Sequence, residues 1–547
     1  MTNVNSLLLN AMLLTDGYKL GHKLMYPTGL TKLYSNLTPR SNKHFQDATE
    51  GAVVFGIQYF VKKYLVDEFN NNFFNRPEET VVEEYDKLLC NFLGRETAKM
   101  IGTDHIRALH KLGYLPIRIK ALEEGTYCPM GVPMLTITNT HRDFAWLTNY
   151  LETLLSNALW KPINSATTAD VFKRELMRHA IKTGFYDSHN PQNLGFLCHD
   201  FSMRGMSGVE DAIVSGMGHL TSWNGSETVP AVVAANYYYN SGYNCAGTIP
   251  ATEHSIECAN AVSEDGTPND EAYFAEMLKR FPNGYISIVS DGFDYWNVIE
   301  NIVPKYKKEI MVRNGRVVIR PDSGDPVDII CGLNSNPNYE FMDTMGGYLY
   351  RAKGSNDEWS KCTIGEYYGT YEYLYIVFGG SINKQGYRVL DEHIGVIYGD
   401  AINMKRQRMI YKRLEDKKFA ATNLVLGIGS FTYQCATRDN LGIAMKATYC
   451  EIEETCGEVA AIIKKNIFKD PKTVVGMPKK SLRGLITVDY DKDSNIVATD
   501  QVSEQEEKFG LLKPIFENGK ILHYVTLDDI RMKLLDGAYN RVMKNNV

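Results

Sequence analysis

Short apolar runs that end in polar or glycine-rich clusters recur through the middle of this chain. Six stand out: Gly195 to Gly205 (GFLCHDFSMRG), Gly247 to Ser255 (GTIPATEHS), Ile286 to Asp294 (ISIVSDGFD), Val317 to Pro326 (VVIRPDSGDP), Gly395 to Asn403 (GVIYGDAIN) and Asn423 to Ser430 (NLVLGIGS). An unbroken apolar run marks a strand buried on both faces, as in a parallel sheet. Each run hands over to a loop carrying Asp, His, Arg or Gly, and barrel enzymes collect their chemistry at the carboxyl ends of such strands. The series predicts an α/β fold built on an irregular (β/α) barrel.

Other periods fill in the rest. Phe55 to Leu65 and Phe144 to Leu155 carry apolar residues at helix spacing, and Ala169 to Thr183 reads as an amphipathic helix leading into the strand series. LPIRIKALEEG and VPMLTITNT alternate like strands. Residues 331–394 interrupt the series with SNPN, GG and GSND breakers and the Tyr-rich stretch EYYGTYEYLYIVFGG. A structureless loop of that length is unusual, so a partly β insertion is predicted. After Arg438 the pattern loosens into a Lys-rich region, followed by a terminal helix near DDIRMKLLDGAYNRV. The expected organisation is an N-terminal α+β region over 1–160, the barrel over 161–440, and a region over 441–547 packing with the N-terminal part as a second, smaller α+β domain.

Composition narrows the function. The 547 residues exceed one ordinary domain, and 44% hydrophobic with 23% charged residues is ordinary for a soluble globular protein. A formal charge of −6 without a long basic block argues against a nucleic-acid partner. A phosphorylated small molecule fits, because it needs only a few local cations and loop N–H groups. Ten cysteines without a CxxC pair predict reduced thiols. The first residues lack a basic segment and a small-residue cleavage site, and no apolar stretch approaches the roughly 20 residues of a membrane helix. A cytoplasmic protein with no membrane partner is expected.

The strand-end loops carry the candidate chemistry. Arg320 and Asp322 flank a proline, with Gly324 set for a tight turn. The Asp can accept from a ribose diol and the Arg can pair with phosphate; an ion pair beside an ordinary turn is the plain alternative. Asp400 in GDAIN is placed to bind hydroxyls. Gly427 and Gly429 can turn N–H groups toward an anion at a helix start, or form a simple turn. His254 in ATEHS, with Asp291 of SDGFD on the next strand, suits a nucleophile or general base. His199 reads as a satisfied core side chain. Asp16 and Tyr18 alone mark a turn with an aromatic, and no His/Cys/Asp set has zinc spacing.

TDGYK (15–19), Arg40, HDFSMRG (199–205), GSET (225–228), ATEHS, SDGFD, IRPDSGDP, YGD (398–400), GIGS, TRD (437–439), Lys446 and FKDP (468–471) occur in this order. Together they resemble the nicotinate/nicotinamide phosphoribosyltransferase family. The resemblance implies a type II phosphoribosyltransferase barrel that joins nicotinamide to phosphoribosyl pyrophosphate, giving nicotinamide mononucleotide and pyrophosphate in NAD salvage. It further implies a homodimer with shared active sites, Mg2+ acting with the diphosphate, and ATP as an activating co-substrate. Phe201 would form one face of a slot for the pyridine ring, and Tyr18 of the partner subunit, next to Asp16, the other. Arg320 would reach base and phosphate; Asp322 and Asp400, beside Gly399, would hold the ribose. Gly429, Ser430 and Arg204 would cradle phosphate, and Arg40, Arg438, Lys446 and Lys469 would serve the diphosphate. His254 would take phosphate from ATP, with Asp291 orienting it and Asp322 completing the catalytic set. Lys479 and Lys480 fall in a looser part of the match, and the resemblance assigns no metal ligands.

Two positions depart from the family pattern. Glu227 stands where the family has an Asp that contacts the carboxamide, which keeps an anion there and favours the neutral amide over nicotinate. GIGSF is poorer in glycine, leaving Ser430 to donate from backbone and hydroxyl. The rival readings are a nicotinate phosphoribosyltransferase and a catalytically silent nucleotide-binding relative. An aldolase-type barrel lacks the expected lysine at a strand end.

Overall fold

The computed structural model describes residues 9–49, 51–184, 194–345, 347–456, 459–472 and 480–545. The chain forms two compact units of nearly equal length, so the α+β part is as large as the barrel part. One comprises residues 1–167, 234–241 and 436–534, the other residues 168–233, 242–435 and 535–547.

The first unit is built on an antiparallel sheet whose strand order is Val459–Asn466, Ala444–Cys456, Leu30–Thr38, Leu135–Asn139, Ile117–Ala121, Lys513–Glu517 and Lys520–Ile521. The two alternating segments read from sequence are the strands at 117–121 and 135–139. The strands Ala444–Cys456 and Val459–Asn466 pair at one sheet edge, and only the first residues of the Lys-rich stretch, 464–466, belong to them; residues 473–479 of that stretch lie outside the described residues. Tyr34 and Leu37 of Leu30–Thr38 point into a core with Ile117, Ile119, Leu135 and Ile137.

The second unit carries a parallel sheet in the order Gly225–Ser226, Cys198–Asp200, Leu424–Ile428, Ile394–Tyr398, Val317–Arg320 and Ile286–Val289. Five of the six apolar runs are strands here. The sixth, Gly247 to Ser255, is too polar to form a full strand, but it bridges both sheet edges. Gly247 pairs in parallel with Gly225, and Ala251 with Ser287, so the sheet curls toward a barrel. The apolar strand residues, among them Ile288, Ile319, Val396 and Leu426, are buried with almost no exposure.

One local expectation changes. The helix at Ala169 runs unbroken over Glu152–Thr183 and is not amphipathic: residues 161–177 are all buried. Its buried charges are paired, as in Arg174 with Asp170 at 2.8 Å. Within residues 331–394 the β part is the three-stranded antiparallel sheet Tyr339–Thr344, Gly347–Ala352 and Ser360–Cys362, with a two-stranded sheet of Gly380–Ile382 and Arg388–Leu390, as a partly β insertion predicts. The Tyr-rich stretch itself is helical, over Ile364–Tyr368 and Thr370–Phe378. Tyr371, Leu374 and Phe378 bury one face of the second helix in the unit's core, and the Tyr371 hydroxyl donates to the Asn423 carbonyl at 2.6 Å.

Candidate active site

A cavity of about 1420 Å³ lies in the second unit, lined by residues from the strands and the loops that follow them. Phe201, Arg204, Glu227, His254, Arg320, Asp322, Gly399, Asp400, Gly429 and Ser430 all face it. Asp291 stands directly behind this lining. Its Oδ1 pairs with His254 Nε2 at 3.1 Å and its Oδ2 accepts from the Asp322 amide at 3.0 Å. One carboxylate therefore fixes the imidazole and the RPDSG loop together.

Phe201 is held at the strand end by its amide, which donates to the Ile428 carbonyl at 2.9 Å. Its ring covers the backbone of Gly427 and Gly399, where a Cβ would come within 2.5 Å and 3.2 Å of ring carbons. Gly427 is thus small to admit Phe201. Gly427→Ala must push the ring off its seat, at a cost of about 1–3 kcal/mol. We expect the KM for the flat base to rise about tenfold, with far-UV circular dichroism unchanged.

Asp200, fully buried, ties the neighbouring loops. Its side chain accepts from the Ser202 amide at 2.9 Å and the Thr228 hydroxyl at 2.7 Å, and its carbonyl accepts from the Glu227 amide at 2.9 Å. Thr248 donates its hydroxyl to the Glu227 carboxylate. The Glu227 anion is therefore oriented by a residue on the bridging segment, which sequence reading did not single out.

Electrostatics mark the strand ends as a binding site. Burial, with the charges of Asp291 and Asp400 behind it, raises the Asp322 carboxyl above its ordinary range, against the pull of Arg320 and His254. Arg320 Nε is buried with no hydrogen-bond partner among the described residues, an open donor on a cation that lines the cavity. Leaving such a group unpaired is costly, so an anionic or polar ligand is the natural partner. His199, buried, also lines the cavity. Its Nδ1 lacks a partner among the described residues, and burial pushes the imidazole down to about 4.

The remaining candidates lie in the first unit. Arg40, Arg438, Lys446 and Lys469 cluster there: burial lowers Lys446, and the charges of the other three lower it further. Arg40 is lowered by burial and then by Arg438. The charge of Glu152 opposes them at Lys446. Asp16 accepts from the Thr153 hydroxyl at 2.8 Å, and Tyr18 is 60% exposed. Lys480 pairs with Asp470 at 3.2 Å, while Lys479 lies outside the described residues.

This geometry coincides with a family match. Residues 196–505 fit the nicotinate phosphoribosyltransferase (NAPRTase) family, and residues 10–119 fit the nicotinamide phosphoribosyltransferase N-terminal domain. The chain belongs to the nicotinate phosphoribosyltransferase family. It is 40% identical over 536 residues to a nicotinamide phosphoribosyltransferase of Acinetobacter baylyi, covering 96% of this chain and 97% of that one. A nicotinamide phosphoribosyltransferase of Mycoplasma pneumoniae is 32% identical, covering 80% of this chain and 89% of its own. Among solved structures, the nicotinate-nucleotide pyrophosphorylase of Pyrococcus furiosus superposes with a TM-score of 0.51 at 15% identity, covering 97% of this chain and 95% of that one. Human nicotinic acid phosphoribosyltransferase gives 0.50 at 13%, covering 97% and 94%. These two establish the shared fold. No helix among the described residues is long and apolar enough to cross a membrane.

Within this phosphoribosyltransferase barrel, Tyr398 carries a further positioning role. Its buried hydroxyl donates to the Ser323 and Gly324 carbonyls, each at 3.0 Å, and so pins the RPDSG loop to the strand that leads to Asp400. Removing a buried donor costs about 1–3 kcal/mol. Tyr398→Phe should raise the KM for the sugar phosphate several-fold while changing kcat less, as steady-state kinetics would report.

Proposed function

We propose that the chain is a nicotinamide phosphoribosyltransferase, converting nicotinamide and phosphoribosyl pyrophosphate to nicotinamide mononucleotide and pyrophosphate for NAD salvage. The observation that carries this reading is the convergence of Phe201, Glu227, Arg320, Asp322 and Asp400 on one cavity, together with close relatives of that name. The pyridine ring stacks on Phe201, and Glu227 accepts from the carboxamide N–H. Arg320 takes the 5′-phosphate, and Asp322 and Asp400 hold the ribose hydroxyls. In a homodimer, Tyr18 of the partner subunit closes the other face of the ring.

Breaking the bond to pyrophosphate builds positive charge at the anomeric carbon and negative charge on the leaving group. Fixed charges that already point at those positions stabilise the transition state without reorganising. The acids stabilise the sugar, and Arg204 and Arg320 at the same cavity meet the departing anion. The mutual repulsion of Asp291, Asp322 and Asp400 suits a hard divalent cation, and Asp322 with Asp400 would hold Mg2+ beside the diphosphate. Mg2+ would neutralise charge on the leaving group.

ATP coupling runs through His254. With Nε2–H donating to Asp291, Nδ1 keeps the lone pair. It attacks the γ-phosphorus of ATP, forming an N–P bond as the P–O bond to ADP breaks. Purified protein supplied with phosphoribosyl pyrophosphate, Mg2+ and each pyridine, with and without ATP, tests the whole reading. We expect nicotinamide mononucleotide and pyrophosphate in equal amounts and faster turnover with ATP. No product from either pyridine, or nicotinate mononucleotide as the main product, would overturn it.

A further inference from the structure

Glu257 is the least explained ionisable group near the cavity. It lies one turn beyond His254 on the helix His254–Ala261, is fully buried, and neither carboxylate oxygen has a hydrogen-bond partner among the described residues. The backbone of Gly292 lies against it, so that a Cβ there would sit 2.4 Å from one of its oxygens. Burial pushes the carboxyl up to about 7. A second buried carboxylate, Asp291, is 3% exposed in its side chain. Ligand atoms of His254, Glu257 and Asp291 all lie within 4.8 Å of one another.

We propose that His254, Glu257 and Asp291 form a binding site for a borderline divalent cation of the Zn2+ type, and that its occupancy prevents phosphorylation of His254. The ligand set decides the metal. One imidazole nitrogen with two carboxylates suits Zn2+, whereas Mg2+ asks for an octahedron of oxygens and keeps its waters. The spacing of the first two ligands fits as well, and the Glu257 oxygen, within 4.8 Å of both, closes in as the ion binds. His254 Nε2 and Asp291 Oδ1 are 3.1 Å apart, close to the edge of about 3.3 Å that a tetrahedron with metal–ligand bonds near 2.05 Å requires. The ion takes the place of the proton between them, and Glu257 supplies the third ligand from below. Two carboxylates and a divalent ion sum to zero charge, which removes the cost of an unpaired buried anion. The fourth position opens toward solvent, on the side where the His254 side chain is 45% exposed.

The consequence for chemistry follows from the imidazole. A neutral ring carries one N–H; with metal on Nε2 the proton sits on Nδ1, which then has no lone pair to attack ATP. Metal binding and phosphorylation are therefore mutually exclusive. The block rests on the phosphohistidine reading above, whereas the binding does not.

The test uses the full chain, stripped with EDTA and dialysed, titrated with Zn2+ alone by calorimetry against a competing chelator. Wild type should bind one tight equivalent more than Glu257→Gln and than His254→Ala, and millimolar Mg2+ should not displace it. Identical isotherms for wild type and both variants would overturn the site. The exposed His254 makes its variant an independent check should Glu257→Gln fold poorly. Labelling with γ-32P ATP then reads the block: wild type should lose its acid-labile phosphate when one equivalent of Zn2+ is added. Labelling that persists with Zn2+ bound would overturn the block alone. Absence of label without Zn2+ would remove the phosphohistidine reading and the block with it, while the calorimetric result still decides the site.

Discussion

Glu227→Ala should collapse a preference for nicotinamide over nicotinate from about a thousandfold to within about tenfold. The effect is electrostatic. Two unit charges about 4 Å apart at an effective dielectric of 20 repel by about 4 kcal/mol, and each 1.4 kcal/mol is a factor of ten. Nicotinate brings such a charge to Glu227, while the amide of nicotinamide brings an N–H donor. The carboxylate is held for this task by the Thr248 hydroxyl and by its own amide bound to Asp200. The longer arm of Glu, compared with the Asp of the family, changes reach and not sign. If the added methylene moves the charges to about 6 Å, the repulsion is still close to 3 kcal/mol. The measurement is kcat/KM for each pyridine in wild type and variant. A wild type that prefers nicotinate, or a variant that keeps the full preference, would remove Glu227 as the discriminating group.

His254→Ala should abolish acid-labile phosphate from ATP and the accompanying rise in turnover, while keeping part of the ATP-independent synthesis. The loss should be complete, because no other imidazole at the cavity has the same setting. His199 also faces the cavity, but burial depresses it to about 4 and no carboxylate is bonded to it. His254 alone pairs with Asp291, whose other oxygen carries the Asp322 amide. Phosphorylation of His254, as proposed, would load the same carboxylate that holds the RPDSG loop. Asp291→Asn should weaken both effects together, read as a lower phosphohistidine yield and a higher KM for phosphoribosyl pyrophosphate. Label retained in His254→Ala would place the nucleophile elsewhere.

What could be read from sequence was what the strand rhythm encodes. An apolar run that stops at a charged residue places that residue at a strand end, and this located Asp322, Asp400, Arg320 and Asp291 before any coordinates. The strand Gly225–Ser226 was invisible because two residues carry no period. The Tyr-rich stretch carries no decisive period: Tyr, Val and Ile favour strands locally, yet burial of Tyr371, Leu374 and Phe378 on one face selects a helix. Glu257 could not be found, since its meaning depends on Asp291 and Gly292 folding against it from another strand. The Arg40, Arg438, Lys446 and Lys469 cluster likewise draws on residues from both ends of the chain. Only the family resemblance pointed to it, because no local pattern links residues so far apart.

The account stands or falls on the cavity as the place where base, sugar and phosphate are gripped together. A crystal structure with nicotinamide mononucleotide bound tests this most directly. It should show the pyridine ring stacked on Phe201 with its carboxamide at Glu227, the ribose hydroxyls on Asp322 and Asp400, and the phosphate on Arg320. The nucleotide seated outside this cavity, or in it with the ring remote from Phe201, would contradict the account.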